Sequence, residues 1–430
     1  MFEKINLLIP FGNFIRNKSL QNFLFLALIQ SSTVLISIIS MPLLIQSIGA
    51  EQFGWVNLSL SVIIVFNILV GFGFNLRAPR EVALNQSDKK ALSQLVSNVF
   101  SAKLFLATVA TAAILIAAYG FQLFAGYRTI LTLSVLMLYS EAIFPLWFFQ
   151  GMEKMKLVSV ATIFSKLLFL MGIVLFVRSP EQSLWVNFML GLFGLGVNLL
   201  LMAYIQGVLG IRFFSPQFSS IWKSLKENLL LFFSNLASHI SINGGLIILS
   251  FFATAETLGL YSLAERVIMI LRLFPALVIQ AVFPNAAKLY ASDRPAFFSF
   301  LRKVYLATLI LGGLISTAAY LAAPWIIQVL SRDQLGDSVI YLRLLAGIPF
   351  LACLNVANIS ILLVSNLREL LFRASWMFCA YMICASTYLT SAYGGIGLCY
   401  GILSTEVMVF LICLFLLYRH KKDLLYGFYS

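Results

Sequence analysis

Charged residues are scarce in this sequence. Asp, Glu, Lys and Arg make up 10% of the 430 residues, whereas about 25% is usual for a soluble domain. Hydrophobic residues make up 61%, Phe alone occurs 39 times, and the mean hydropathy is +0.97. This composition excludes a soluble enzyme or binding module and indicates a polytopic membrane protein.

The motifs of common enzyme sites are also missing. The sequence has no Gly-rich phosphate-binding loop ending in Lys-Ser/Thr, no His-Glu-x-x-His motif and no Cys/His metal spacing, and its five cysteines form no Cys-x-x-Cys pair. No segment between the apolar runs reaches the roughly 50 residues of a small domain. We therefore expect no catalytic residue, no metal and no cofactor, and nothing supports ATP-driven transport by this chain alone.

Long apolar runs recur along the whole chain. Because a helix needs about 20 apolar residues to cross a bilayer, the runs predict an all-α polytopic membrane protein with twelve transmembrane helices. The predicted spans are residues 20–46, 55–76, 99–120, 127–149, 157–177, 184–207, 229–253, 258–283, 304–327, 339–364, 370–390 and 396–418.

The lysines and arginines predict the orientation. If the N-terminus is cytoplasmic, most of the 29 basic residues, Lys103 among them, fall in cytoplasmic segments, and the opposite loops hold only Arg128, Arg178 and Arg332. This contrast predicts two cytoplasmic termini. The net charge of +13 then reflects topology and contact with anionic lipid, and it does not indicate nucleic acid.

A polar interruption near the middle divides the chain. Residues 208–228 separate an N-terminal six-helix lobe, 1–207, from a C-terminal six-helix lobe, 229–430. The segment Ala-Glu-Gln-Phe-Gly at 50–54 is echoed by Ala-Glu-Thr-Leu-Gly at 255–259. Internal repeats are common in transporters, so we interpret the halves as two copies of one unit joined by a cytoplasmic connector.

Charged residues inside the predicted spans are the first site candidates. Each would cost about 2.5–3.5 kcal/mol facing lipid at mid-membrane, so they must point inward. Glu141 and Lys166 lie at similar depth on a tight hairpin, and we predict that they form a buried ion pair. Glu406 has no obvious partner in span twelve, which makes it a candidate proton carrier.

Spans seven and eight supply the other candidates. Glu265 and Arg272 share one face of span eight, and Arg266 is turned about 100° away; the group is either a structural network or an anion site, and the excess of arginine favours the anion site. In span seven, three polar residues share a face that either packs or lines a cavity: Asn235, His239 and Asn243.

Three segments carry a family resemblance. Residues 49–54 after a first helix with a late proline, residues 77–81, and Trp-Phe-Phe-Gln-Gly-Met-Glu-Lys-Met at 147–155 resemble the bacterial oligosaccharide flippases of the O-antigen (Wzx) type. The resemblance implies the multidrug/oligosaccharidyl-lipid/polysaccharide superfamily, with two lobes around a central cavity. It also implies a cytoplasmic-membrane protein that flips an undecaprenyl-diphosphate-linked oligosaccharide, with a polysaccharide polymerase and a chain-length regulator as protein partners.

Three functions stay open at this point. The first is the flippase, in which Arg266 and Arg272, with Arg77 or Arg80 at the inner mouth, would bind the diphosphate. The second is a multidrug exporter coupled to protons or sodium, which should have a negatively charged cavity, whereas the charges inside the spans are slightly positive in sum. The third is a membrane enzyme of polysaccharide assembly, for which the outer loops are too short.

Overall fold

The computed structural model describes residues 18–121, 124–214, 218–332 and 335–429, and within these ranges every element of regular structure is a helix. The chain is an all-helical multi-pass membrane protein. Nine helical segments in the described ranges are long and apolar enough to cross a membrane: Leu24–Gly71, Lys89–Gly120, Arg128–Gly151, Met155–Phe176, Pro180–Gly207, Ala255–Ser292, Arg294–Ser331, Gly336–Val364 and Glu369–His420.

The chain forms two compact units. The first comprises the residues up to Leu43 together with Phe66–Phe232, and the second comprises Leu44–Val65 together with the residues from Phe233 onward. These boundaries differ from the predicted lobes because Leu44–Val65 packs with the second unit. The predicted connector 208–228 is also partly helical, since a helix begins at Phe218.

Eighteen α-helices lie in the described ranges, and some are broken by short turns. Those that begin in the first half are α1 (Lys18–Gly71), α2 (Phe74–Leu84), α3 (Lys89–Leu115), α4 (Arg128–Ser134), α5 (Leu136–Ile143), α6 (Leu146–Gly151), α7 (Met155–Phe176) and α8 (Leu184–Gly207). The remainder are α9 (Phe218–Asn243), α10 (Gly245–Leu249), α11 (Ala255–Leu271), α12 (Leu273–Ser292), α13 (Arg294–Ser331), α14 (Gly336–Leu345), α15 (Ile348–Leu354), α16 (Val356–Val364), α17 (Arg368–His420) and α18 (Lys422–Tyr429).

Two glycines break the longest helices. Gly49 interrupts α1 with φ of 77°, and Gly394 interrupts α17 with φ of 58°. Glycine adopts this left-handed region at little steric cost, whereas a residue with a Cβ does so at a penalty. The two glycines lie at the predicted junctions between spans one and two and between spans eleven and twelve, so each long helix contains two predicted spans.

Aspartate side chains cap the N-termini of two of the membrane helices. Asp88 accepts hydrogen bonds from the backbone N–H groups of Lys90 and Ala91 at 2.9 and 3.0 Å, and α3 follows. Asp293 accepts one from Ala296 at 3.0 Å at the start of α13. An N-terminal acceptor satisfies amides that have no partner within the helix, so these polar residues fix where two long apolar helices begin.

In the first unit, α2 packs closely against α6. A Cβ at Gly151 would lie 2.5 Å from the carbonyl oxygen of Pro79, and the side chain of Gln86 donates to the carbonyl of Gly151 at 2.7 Å. Trp147 and Phe148 of α6 are completely buried. Two of the segments that carry the family resemblance therefore pack against each other at one corner of the first unit.

In the second unit, the two repeated five-residue segments contact each other. A Cβ at Gly259 would lie 1.9 Å from the carbonyl oxygen of Ala50, and one at Gly54 would lie 2.4 Å from that of Ala255. Each repeat thus places its glycine against the first alanine of the other. The contact is reciprocal and depends on the absence of a side chain at both glycines.

Candidate functional site

The second unit encloses a cavity of about 330 Å³ with a polar wall. Its polar groups come from α9, α17, the junction between α11 and α12 and the junction between α15 and α16, and most of the remaining lining is apolar. Such a pocket, apolar with a few convergent polar groups, is typical of a ligand site. The polar lining residues are Ser238, Ser241, Arg272, Asn355, Ser375, Thr405 and Glu406.

Arg272 and Glu406 form an ion pair at this cavity. Nη2 of Arg272 contacts Oε1 of Glu406, and the two side chains are 22% and 5% exposed. The expectation that Glu406 has no partner is therefore wrong. The sequence places the two residues on distant spans, and only the packing of α17 against the α11–α12 junction brings them together.

Asn355 lies in the same cavity wall. Its side chain is 3% exposed, and neither its amide nitrogen nor its amide oxygen has a hydrogen-bond partner in the part of the chain that the structure describes. A buried amide without partners is costly. The wall of the cavity therefore contains an amide whose hydrogen-bonding capacity the described residues leave unused.

Glu265 and Arg266 lie outside this cavity. Glu265 accepts a hydrogen bond from the hydroxyl of Tyr261 at 3.4 Å and lines a small neighbouring cavity together with Arg272. Arg266 donates from Nε and Nη2 to Oδ1 of Asn57 at 3.0 and 2.7 Å. Arg272 lines both of these cavities, whereas Arg266 is outside the lining of each and donates to Asn57.

The polar stripe of α9 faces away from the larger cavity. Ser238 and Ser241 line the cavity, whereas His239 between them is exposed and Asn243 donates to its carbonyl oxygen at 3.2 Å. Asn235 is also outside the cavity lining. That Asn235, His239 and Asn243 line a cavity stays a prediction. The serines were missed because short hydroxyl side chains in an apolar helix usually bond their own backbone.

The first unit contains a smaller cavity of about 200 Å³ that holds the hairpin charges. Glu141 and Lys166 both line it, together with Asn67 and Asn198. The predicted ion pair between them is wrong: Glu141 pairs with Lys103 at 3.3 Å, and Lys166 donates to the hydroxyl of Thr33. Equal depth of two helices does not fix which way their side chains point.

Lys103 is the residue whose position differs most from the sequence expectation. It was grouped with the cytoplasmic basic residues, yet it lies inside α3 and is completely buried. A lysine side chain this deep requires a carboxylate partner. Among the described residues of the first unit, Glu141 thus has two lysines near it, Lys103 in an ion pair and Lys166 in the same cavity lining.

Arg77 and Arg80 lie on α2, outside the long spans. Arg77 pairs with Glu81 and with Glu227, both at 2.5 Å, and Arg80 is exposed. Burial lowers the pKa of Arg77, but the hydrogen bonds to both carboxylates outweigh it and hold the pKa above its ordinary value. The charge of Arg77 is therefore already neutralised by the protein, and Arg80 has the more accessible guanidinium.

Replacing Glu227 by glutamine is expected to lower the free energy of unfolding by less than about 1 kcal/mol. The side chains of Arg77 and Glu227 are 35% and 37% exposed, and exposed ion pairs contribute little. Thermal unfolding of the detergent-purified protein would measure the change, with the exposed Glu369→Gln as a matched control. A decrease in the free energy of unfolding of more than about 2 kcal/mol would show that this ion pair is important for the stability of the fold.

The sequence matches a known protein-family model over most of its length. The model, described as polysaccharide biosynthesis protein, matches residues 19–290. A protein of Escherichia coli (strain K12) named "Putative O-antigen transporter" is 23% identical over 414 residues, covering 93% of this chain and 97% of that protein.

Solved structures share the fold. A multidrug resistance MATE family transporter of the MOP superfamily, in an inward-facing conformation, superposes with a TM-score of 0.69 at 13% identity and covers 90% of this chain and 96% of that one. The lipid II flippase MurJ, in an inward closed conformation, also gives 0.69, at 16% identity, with coverage of 94% and 90%. At these identities the likeness concerns the fold alone.

Proposed function

We propose, from the premise that this chain belongs to the polysaccharide biosynthesis protein family, that it is a flippase for a lipid-linked oligosaccharide. Its substrate is an undecaprenyl-diphosphate-linked O-antigen repeat unit, which it moves from the inner to the outer leaflet of the bacterial cytoplasmic membrane by alternating access. The proposal includes twelve spans in two lobes and cytoplasmic termini. The protein partners are a polysaccharide polymerase and a chain-length regulator.

The cavity in the second unit is the observation that carries this proposal. It contains one arginine paired with one carboxylate, an amide without a partner, and four hydroxyl groups. Guanidinium binds phosphate oxygens through two parallel hydrogen bonds, and amide and hydroxyl groups bind sugar hydroxyls. The wall therefore suits a ligand that joins a phosphate to a sugar.

In the proposed binding step, the ion pair between Arg272 and Glu406 breaks and the guanidinium of Arg272 binds a phosphate oxygen. A diphosphate that leaves water must regain hydrogen-bond donors and positive charge in the protein. Glu406 holds the guanidinium in place while the cavity is empty, and its own charge must then be met by a proton or a sodium ion. This links substrate binding to ion binding at one carboxylate. Arg80 is the accessible cationic contact on the first unit.

A multidrug exporter is the runner-up because a MATE transporter shares the fold. An exporter of organic cations needs unpaired carboxylates in its cavities. Here Glu406 is paired with Arg272, and Glu141 is paired with Lys103 beside the additional cation of Lys166. Glu265 forms no ion pair among the described residues, but it shares its small cavity with Arg272. Each of the three cavities thus has a basic side chain beside its carboxylate, which disfavours a cationic ligand, and the flippase is the better-supported function.

Deleting the gene that encodes this protein from the bacterium tests the proposal. Surface polysaccharide should be lost and lipid-linked repeat units should accumulate on the inner leaflet, and the wild-type chain should restore both. Susceptibility to organic cations should stay unchanged. Normal surface polysaccharide together with raised susceptibility to organic cations would replace the flippase by the exporter.

A further inference from the structure

A groove on the second unit lies between the two halves of α17. Residues that precede Gly394 and residues that follow it line the same groove, so the helix halves run side by side at this end. The groove has a volume of about 640 Å³ and is separate from both cavities described above. Its lining residues are Phe372, Arg373, Trp376, Met377, Phe415, Leu416, Arg419 and His420.

Polar and apolar groups are segregated along this groove. Arg373 lies near the start of α17 and Arg419 and His420 lie in its last turn, so these three side chains border one end of a groove whose own surface is almost entirely apolar. Trp376 and Phe415 lie about one turn further into the membrane and are 37% and 50% exposed. This order, charge first and then aromatic and apolar surface, is the order of groups in a phospholipid.

The two arginines are available for a ligand. Both side chains are exposed, and none of the ion pairs formed by the described residues includes Arg373 or Arg419. Glu369, one helical turn before Arg373, is exposed and forms no ion pair in the same residues. Two unpaired guanidinium groups at the headgroup level favour a phosphate, to which each can donate two hydrogen bonds.

The groove wall is a fixed surface. The ring of Trp376 packs against Phe233 of α9, with centroids 6.2 Å apart. On the other side, Nδ1 of His420 lies 3.1 Å from the carbonyl oxygen of Leu416 in the preceding turn. Tryptophan is enriched at the membrane–water interface, where its amphipathic ring lies at the level of the lipid headgroups. Orienting the chain requires only that the arginines lie on the cytoplasmic side, so orientation does not explain their convergence on one groove.

We propose that this groove is a binding site for one anionic phospholipid of the inner leaflet, such as phosphatidylglycerol. Arg373 and Arg419 bind its phosphate, and the upper part of one acyl chain lies against Trp376, Met377 and Phe415. The site is independent of the transported substrate.

Native mass spectrometry of the full-length protein in detergent tests this site. The probes are phosphatidylglycerol and phosphatidylcholine, whose headgroups differ in net charge. A guanidinium beside an anionic headgroup contributes roughly a factor of five in affinity, so Arg373→Ala/Arg419→Ala should weaken phosphatidylglycerol binding by roughly 25-fold. Arg373→Lys/Arg419→Lys should keep most of the binding.

The matched control removes two cations elsewhere in the same unit. Lys288 and Lys303 are exposed and lie outside the groove, so Lys288→Ala/Lys303→Ala should leave the tightest phosphatidylglycerol site intact. Phosphatidylglycerol brominated on the upper acyl chain should quench wild-type fluorescence more than it quenches that of Trp376→Phe. This second readout applies even if the double arginine variant fails to fold.

Three results would overturn the assignment. The first is equal binding of phosphatidylglycerol and phosphatidylcholine to the wild type. The second is an equal loss of phosphatidylglycerol affinity in Arg373→Ala/Arg419→Ala and in the control Lys288→Ala/Lys303→Ala. The third is preferential binding of a polyprenyl diphosphate over phosphatidylglycerol in competition, which would assign the groove to the transported lipid. Quenching that does not involve Trp376 would place the acyl chain elsewhere.

Discussion

Replacing Arg272 by alanine is expected to abolish surface polysaccharide and to destabilise the folded protein by roughly 3 kcal/mol. The change removes the cation proposed to bind the diphosphate. It also leaves the carboxylate of Glu406, which is 5% exposed, without its partner. Surface polysaccharide in a complementation assay and thermal unfolding in detergent would measure the two effects separately.

A double variant separates binding from stability. In Arg272→Ala/Glu406→Gln no charge is left unpaired, so the unfolding temperature should return close to that of the wild type while surface polysaccharide stays absent. Arg272→Lys keeps the charge without the planar fork and should retain partial activity. Arg343→Ala removes an exposed arginine of the same unit that stacks on Tyr320 and should behave as wild type. Normal surface polysaccharide from the double variant, at matched protein level, would move the anion site elsewhere.

Replacing Gly259 by alanine is expected to separate the two repeated segments and to cost about 1–3 kcal/mol of stability. The new Cβ would lie 1.9 Å from the backbone oxygen of Ala50, so the backbone itself must move. Gly54→Ala should act in the same direction, since its Cβ would lie 2.4 Å from the oxygen of Ala255. Unfolding temperature and complementation would both register the loss.

The matched control for this prediction is Gly196→Ala in the interior of α8. A Cβ at Gly196 would have no atom within 4 Å, so alanine there should be neutral or should stabilise the helix by up to about 1 kcal/mol. If Gly259→Ala has the same small effect, the contact between the repeats is looser than the structure shows.

The sequence predicted a polytopic membrane protein because that class follows from the overall composition and from the length of the apolar runs. Apolar runs predicted the helices, and the two junctions at Gly49 and Gly394 fall between predicted spans. The echo between residues 50–54 and 255–259 predicted two copies of one unit. It did not predict that the two segments contact each other, which the structure shows within the second unit.

The charged partners could not be predicted in the same way. Helical periodicity gives the direction of a side chain relative to its own helix only, and pairing also needs the rotation of the neighbouring helix. For this reason the sequence predicted an ion pair of Glu141 with Lys166 instead of Lys103, and it predicted no partner for Glu406, which pairs with Arg272. The cost of exposing a charge to lipid predicted that Glu141, Lys166, Arg272 and Glu406 face protein, but it did not predict their pairs and it missed Lys103.

The membership of Leu44–Val65 in the second unit has a consequence for how the chain is made. Gly54 and Gly259 are 205 residues apart in the sequence, and a ribosome adds roughly 5–20 residues per second. Residues 50–54 are therefore synthesised roughly 10–40 s before residues 255–259, with which they pack. During that interval the glycine face of residues 50–54 is open to lipid and to other proteins. A C-terminal half produced alone would lack a segment of its own unit.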